Sequence, residues 1–187
     1  PGATTVSNVF DNSGALEVQS GVLNLIGGGA HTGSFATAAG TTLQFGGGTH
    51  DLNNAAAVSS LGRLLITSGQ VNTTGTLTSG GLLELTSGIL NAGGAINTAT
   101  YIQSGGTLSG TDDLTVSGTT TLSGGAIMTG SGSTITQGAL TIGGGIILDA
   151  GRALDVRAGA TWSAGQIILN TSTAPGSGAL INRAGSL

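Results

Sequence analysis

The sequence predicts an all-β chain, a β-solenoid of about nine coils with about 20 residues in each. Three observations predict it. A six-residue pattern, Leu-x-(aliphatic or Phe)-x-(small)-Gly, recurs along the 187 residues. Within each copy, apolar and polar residues alternate with the period of two that marks a half-buried strand. A small residue and a glycine then close each copy, where the chain needs backbone freedom to turn.

The copies read LEVQSG from Leu16, LQFGGG from Leu43, LLITSG from Leu64, LELTSG from Leu83, LTIGGG from Leu140, LDVRAG from Leu154 and LINRAG from Leu180. Two variants fill the gap, TYIQSG from Thr100 and the shortened LTVSG from Leu114. Successive starts lie 27, 21, 19, 17, 14, 26, 14 and 26 residues apart. Intervals of 14, 21 and 27 approximate two, three and four units of about seven residues. That spacing predicts a three-faced coil on which the pattern lands on different faces. The intervals of 17 and 19 fit this grouping less well.

Alternation assigns the inward positions. The expected core is Leu16, Val18, Leu43, Phe45, Leu64, Ile66, Leu83, Leu85, Ile102, Leu114, Val116, Leu140, Ile142, Leu154, Val156 and Leu180. Phe35 is also expected inside. Outward Thr, Ser and Asn are expected to form hydrogen-bonded ladders between coils. A sandwich is the alternative for short strands with Gly-rich turns, but sandwich strands rarely repeat their sequence. Helix is excluded by the lack of 3.6-residue apolar spacing and by glycine every few residues, each costing about 1 kcal/mol in a helix. Coils stacked at about 4.8 Å make a rod about 45 Å long.

Composition removes several functions. The chain has 37 Gly, 28 Thr, no Cys and no Lys, and its four basic residues are Arg63, Arg152, Arg157 and Arg183. A net charge of −4 argues against nucleic acid and against docking on anionic lipid. No apolar run approaches the roughly 20 residues of a spanning helix, and aromatics are too few for the girdles of a membrane barrel. The expectation is therefore no membrane insertion. Regular Leu, Ile and Val argue against disorder despite the low charge. Without Cys there are no disulfides or thiolate metal sites. The opening PGATT has neither the basic region nor the apolar core expected of a signal peptide. Residues 1–187 are expected to be one solenoid segment, uncapped at both ends, belonging to a longer repeat array or stacking end to end.

Strings such as GGGTHDLN, SGTDDLTVSG, GALTIGGG and ATWSAGQIILN resemble the β-strand repeats of bacterial surface proteins of the filamentous-haemagglutinin-like and autotransporter-passenger group. The resemblance covers nearly the whole chain. It implies a right-handed β-helix exported to the cell surface, a structural part of a fibre or adhesin with a role in adhesion, biofilm or fibre formation. With no Cys, no Lys and no evident nucleophile–base arrangement, no enzymatic activity and no cofactor are expected, an enzyme being the third reading. The expected partners are neighbouring solenoid segments or copies of the chain itself, with surface glycans as a further possibility.

Several residues suggest a site, and each also has a plainer structural role. His31 and His50 each follow a triple glycine and lie 19 residues apart, about one coil. Stacked imidazoles bind a transition metal weakly, but a defined site needs three or four ligands. The plainer reading is a duplicated turn with exposed His. GGGTHDL has the wrong Gly–Asp spacing for a calcium-binding repeat. Asp112 and Asp113 are the one adjacent acidic pair, and carboxylates on neighbouring strand positions do not converge unless they sit in a turn. Asp155 and Arg157 share strand parity and are expected to pair on the surface. Thr-x-Thr at Thr76/Thr78, Thr98/Thr100 and Thr119/Thr121 suggests a flat Thr array of the kind that binds ice. That series breaks at Thr134/Thr136 and Thr171/Thr173. Trp162 and Tyr101 suit sugar stacking if exposed and core filling if not. The alternative function is therefore a glycan- or ice-binding module with an exposed Thr/Asn face.

Overall fold

The computed structural model describes residues 2–53, 57–169 and 176–183. Thr171, Thr173 and Leu187 fall outside them. The described residues form a β-solenoid of parallel strands with no helix. Each coil after the first lays down three short strands in the same order, so three faces build up as coils stack. Face 1 starts with Ala3–Val6, Val22–Leu25, Thr42–Phe45 and Arg63–Ile66, and ends with Thr120–Leu122, Leu140–Gly143 and Ala160–Ala164. Face 2 runs from Gly29–His31 through Thr49–Leu52, Gln70–Thr73 and Ile89–Ala92 to Ile167–Leu169. Face 3 runs from Ala15–Val18 through Ser34–Thr37 and Leu114–Val116 to Ala153–Val156 and Ala179–Asn182. In mid-chain, Leu77–Leu85 and Ile96–Gln103 pass without a break from face 3 into face 1, joining those faces in one sheet.

Register on face 1 advances 18 to 21 residues per coil: Ala3 pairs Val22, Val22 pairs Thr42, Thr42 pairs Arg63, Arg63 pairs Leu82, and Leu82 pairs Thr100. This explains the uneven motif spacing. Copies beginning at Leu43, Leu64, Leu83 and Leu140 lie on face 1, whereas those at Leu16, Leu114, Leu154 and Leu180 lie on face 3. The interval of 14 from Leu140 to Leu154 crosses from face 1 over face 2 to face 3. The interval of 19 is a whole coil, and the interval of 17 falls one residue short of the 18-residue coil that pairs Leu83 with Tyr101. The final 26 is one coil as well, since Leu154 pairs directly with Leu180.

Inward side chains stack in columns. Val18, Leu43, Phe45, Leu64, Ile66, Leu83, Leu85, Leu114, Val116, Leu140, Ile142, Leu154 and Val156 are buried in one continuous cluster, and Phe35 joins them. Leu16 and Leu180, on the first and last strands of face 3, are half-buried and pack against its ends. Ile102 is a correction. Leu83 pairs with Tyr101 and Leu85 with Gln103, so Tyr101 and Gln103 take the inward places and Ile102 points out.

Corners hold the stack together as tightly as strands do. At the turn from face 1 to face 2, Gly48, Gly69, Gly88 and Gly106 all have φ between +64° and +74°. A Cβ on Gly69 would strike the carbonyl oxygen of Gly48 one coil below. Gly69→Ala is therefore expected to destabilise by about 3 kcal/mol, combining the left-handed penalty with a clash that only backbone movement relieves. Urea unfolding measures it. A loss below about 1 kcal/mol would mean that the corner is softer than its geometry indicates.

Candidate functional site

Polar groups of three kinds stand out on this scaffold: two buried clusters, an outer ladder and a groove. His31 and His50 form the first cluster. Both are fully buried on face 2, which corrects the reading of an exposed turn. Face 2 strands alternate like the others, and the Gly-rich corners before them let each ring swing into the core. The rings stack with centroids 5.3 Å apart and planes 12° from parallel. Phe35 meets His31 edge-on at 5.0 Å, and Phe45 lies 4.7 Å from His50. All four ring nitrogens are engaged. Asn12 N–H faces His31 Nδ1 at 3.3 Å, His31 Nε2 lies 3.0 Å from His50 Nδ1, and His50 Nε2 lies 3.1 Å from the Gly47 carbonyl. Only one arrangement of protons satisfies this chain. His31 Nδ1 accepts, its Nε2–H donates to His50 Nδ1, and His50 Nε2–H donates to Gly47, so both rings are neutral Nε2–H tautomers. Burial drives His31 down to about 4, helped by His50 and opposed by Asp11 and Asp51. Burial also lowers His50. Neither imidazole retains a free nitrogen for a metal, and no cluster of three His, Asp or Glu suited to a metal occurs among the described residues.

Arg152 centres the second cluster. It is fully buried at the corner between faces 2 and 3. Its guanidinium donates to the Asp112 carbonyl at 3.2 Å, to the Ser133 carbonyl at 3.3 Å and to the Thr134 hydroxyl at 3.3 and 3.4 Å. One side chain thus ties three successive coils. Gly132 makes room for it, since a Cβ there would sit 2.7 Å from a guanidinium nitrogen. Burial pulls Arg152 down to about 10, opposed by Tyr101 and Asp113. Deeper in the core, Tyr101 O–H donates to Gln103 Oε1 at 3.0 Å, while Gln103 Nε2 donates to the carbonyls of Gly106 and Ile127. Burial raises the Tyr101 phenol, so it stays neutral.

Asp112 and Asp113 sit in a corner and do not converge on a common point: the Asp112 backbone carbonyl serves Arg152, and Asp113 Oδ1 accepts from Ser133 N–H at 2.7 Å. Asp155 does pair with Arg157, at 2.9 Å. The sequence did not show the second partner, Arg183, which reaches back one coil to Asp155 Oδ1 at 2.7 Å. Burial pushes Asp155 up, but the hydrogen bonds from the two arginines outweigh it and hold the carboxyl below its usual range.

The outer ladder lies on face 2. Asn72 Nδ2 donates to Asp51 Oδ1 at 2.6 Å, and Asn91 Nδ2 donates to Asn72 Oδ1 at 3.2 Å, with Ser109 Oγ 3.5 Å beyond. The Thr-x-Thr pairs do not make a comparable array. Thr78 pairs with Asn97 on the outside of face 3, Thr98 points inward, and Thr100 and Thr121 belong to face 1. Thr121, Thr141 and Thr161 do stack in register on face 1, but over three coils only.

A shallow groove of about 390 Å³ crosses four coils where face 3 bends into face 1. A bulge at Gly80–Gly81 carries the chain round this bend. Thr78, Asn97, Thr115, Ser117 and Gln137 line the groove, with no charged group among its lining residues. Trp162 lies elsewhere, half exposed at the inward position of the last face 1 strand, its Nε1–H donating to the Ala164 carbonyl. Comparison of the chain with protein-family models, curated proteins and solved structures gave no match.

Proposed function

We propose that this chain is a structural segment of an extracellular bacterial surface fibre or adhesin, and that it acts mechanically rather than as an enzyme. The observation that carries the reading is the continuous parallel ladder, shifted in register only at local bulges. Strands of successive coils pair on all three faces, over a core of stacked Leu, Ile, Val and Phe. Pulling along the axis loads many backbone hydrogen bonds at once, and stiffness follows from that geometry. The scarcity of charge, with Arg63–Glu84 and the Asp155 cluster as the ion pairs of the described residues, favours close lateral packing of rods. Resemblance of the repeats to bacterial surface fibres supports the location. The partners are then adjoining solenoid segments or further copies of the chain. An antibody raised to the folded chain tests this on intact source cells. Labelling of fibres on unbroken cells is expected; signal confined to lysed cells overturns the surface reading.

A second reading, a module for neutral glycans, rests on the uncharged hydroxyl- and amide-lined groove. A glycan array separates the two. Binding that Asn97→Ala abolishes and Trp162→Ala leaves intact would favour the groove.

A further inference from the structure

His50 heads an inward column on face 2 that continues as Val71, Leu90, Leu108, Met128 and Leu148. Titratable groups therefore enter this column only at its beginning. There the two imidazoles link three levels of the solenoid, from the backbone of Asn12 through His31 to His50 and the Gly47 corner.

We propose that the His31–His50 stack is an acid-release device, and that uptake of a proton by either imidazole opens the first coils, residues 2–53, while the aliphatic coils beyond them stay closed. Both positions that can take up the proton already face a donor. A proton on His31 Nδ1 points at Asn12 N–H. A proton on His50 Nδ1 points at His31 Nε2–H. In each case an acceptor becomes a donor, one hydrogen bond of the chain is lost, and a charge is left among Phe10, Phe35 and Phe45. No rotation of one ring restores the chain, because a doubly protonated imidazole has no acceptor.

The surroundings compensate only in part: burial still lowers His50, although the Gly47 and Leu25 carbonyls favour its charged form. The strands Val22–Leu25, Ser34–Thr37, Thr42–Phe45 and Gln70–Thr73 that pack round the pair carry no titratable side chain. The charged groups facing it are Asp11, from the preceding turn, and Asp51, next to His50. Both favour the proton, but each carboxylate is already committed: Asp11 Oδ1 accepts from Ala30 N–H at 2.7 Å and Asp51 Oδ1 from the Asn72 amide. Burial outweighs them. With the folded-state value of His31 depressed to about 4 from 6.5, the stabilisation is complete above about pH 6.5 and is lost as pH falls towards 4. Backbone pairing joins each coil only to its neighbours, so opening at one end need not spread.

Segment-resolved hydrogen exchange, corrected for the intrinsic pH dependence, tests the device on the whole chain at about pH 7 and about pH 3.5. Protection over 29–52 is expected to fall at least about tenfold more than protection over 107–148. The double variant His31→Leu, His50→Leu should remove that difference. Parallel loss in both regions, no selective loss, or the same selective loss in the variant overturns the proposal. If the variant does not fold, imidazole nitrogen spectra of the unaltered chain decide. Neutral Nε2–H rings that persist until the first coils open support the device, whereas free titration near pH 6.5 in a closed structure overturns it.

Discussion

Arg152→Ala is expected to destabilise the chain by about 4 kcal/mol, the largest single-residue effect in the molecule. Three losses combine. The carbonyls of Asp112 and Ser133 lose a donor, the Thr134 hydroxyl loses two contacts, and the volume of a fully buried long side chain is left void. Because the guanidinium also pays for desolvation, which is why its value is drawn down to about 10, Arg152→Met should cost only about half as much. Methionine fills the void and removes the buried charge while leaving the carbonyls short of donors. Arg152→Lys keeps the charge without the planar fork and should fall between the two. Urea unfolding of the three variants gives the order. Equal losses for Ala and Met would show that hydrogen bonds, not volume, dominate this corner.

Leu85→Ala comes next, with an expected loss of about 3 kcal/mol. Leu85 is fully buried in the column Ile66, Leu85, Gln103 on face 1. Neighbouring backbones are pinned by ladder hydrogen bonds on both sides, so the site cannot collapse to fill the cavity. In a stack with nearest-neighbour cohesion the defect is local, and hydrogen exchange should accelerate most in the coils containing residues 63–66, 82–85 and 100–103. An even rise along the whole chain would instead show that the solenoid opens as one cooperative unit.

Alternation and glycine corners made legible those strands of faces 1 and 3 whose two inward positions are both large and apolar, such as Leu43/Phe45, Leu83/Leu85 and Leu154/Val156, whereas strands with an inward Thr or Ser, such as Ser34–Thr37 and Ala57–Ser60, were not. Face 2 was harder to read. Its strands, such as GAH, THDL, QVNT and AIM, start without leucine, and two of these four place a histidine at an inward position. Ile102 shows the limit of alternation. In TYIQSG the motif places the isoleucine in the core, but register with Leu83 and Leu85 decides, and it seats Tyr101 and Gln103 instead. Gln103 tolerates the core because its amide finds partners on a strand 24 residues away. The same non-local logic hid the histidines and Arg152. Each looks like a surface residue until the coil above or below supplies its hydrogen bonds, and no local pattern encodes those partners. The Asp155 cluster was half legible, since Arg157 is two residues away and Arg183 is 28.

Register between coils has a further consequence for how such a chain changes over generations. Face 1 steps of 18, 19, 20 and 21 residues coexist in one stack. Surplus residues are absorbed at corners or in local bulges, such as those at Gly80–Gly81 and Ser163. Duplicating or excising one complete coil therefore preserves every remaining ladder, whereas a shift of a single residue inside a strand turns its inward side chains outward. Length is thus a quantity that recombination can adjust in whole coils, at little cost to the fold, while the pattern within each strand is held fixed.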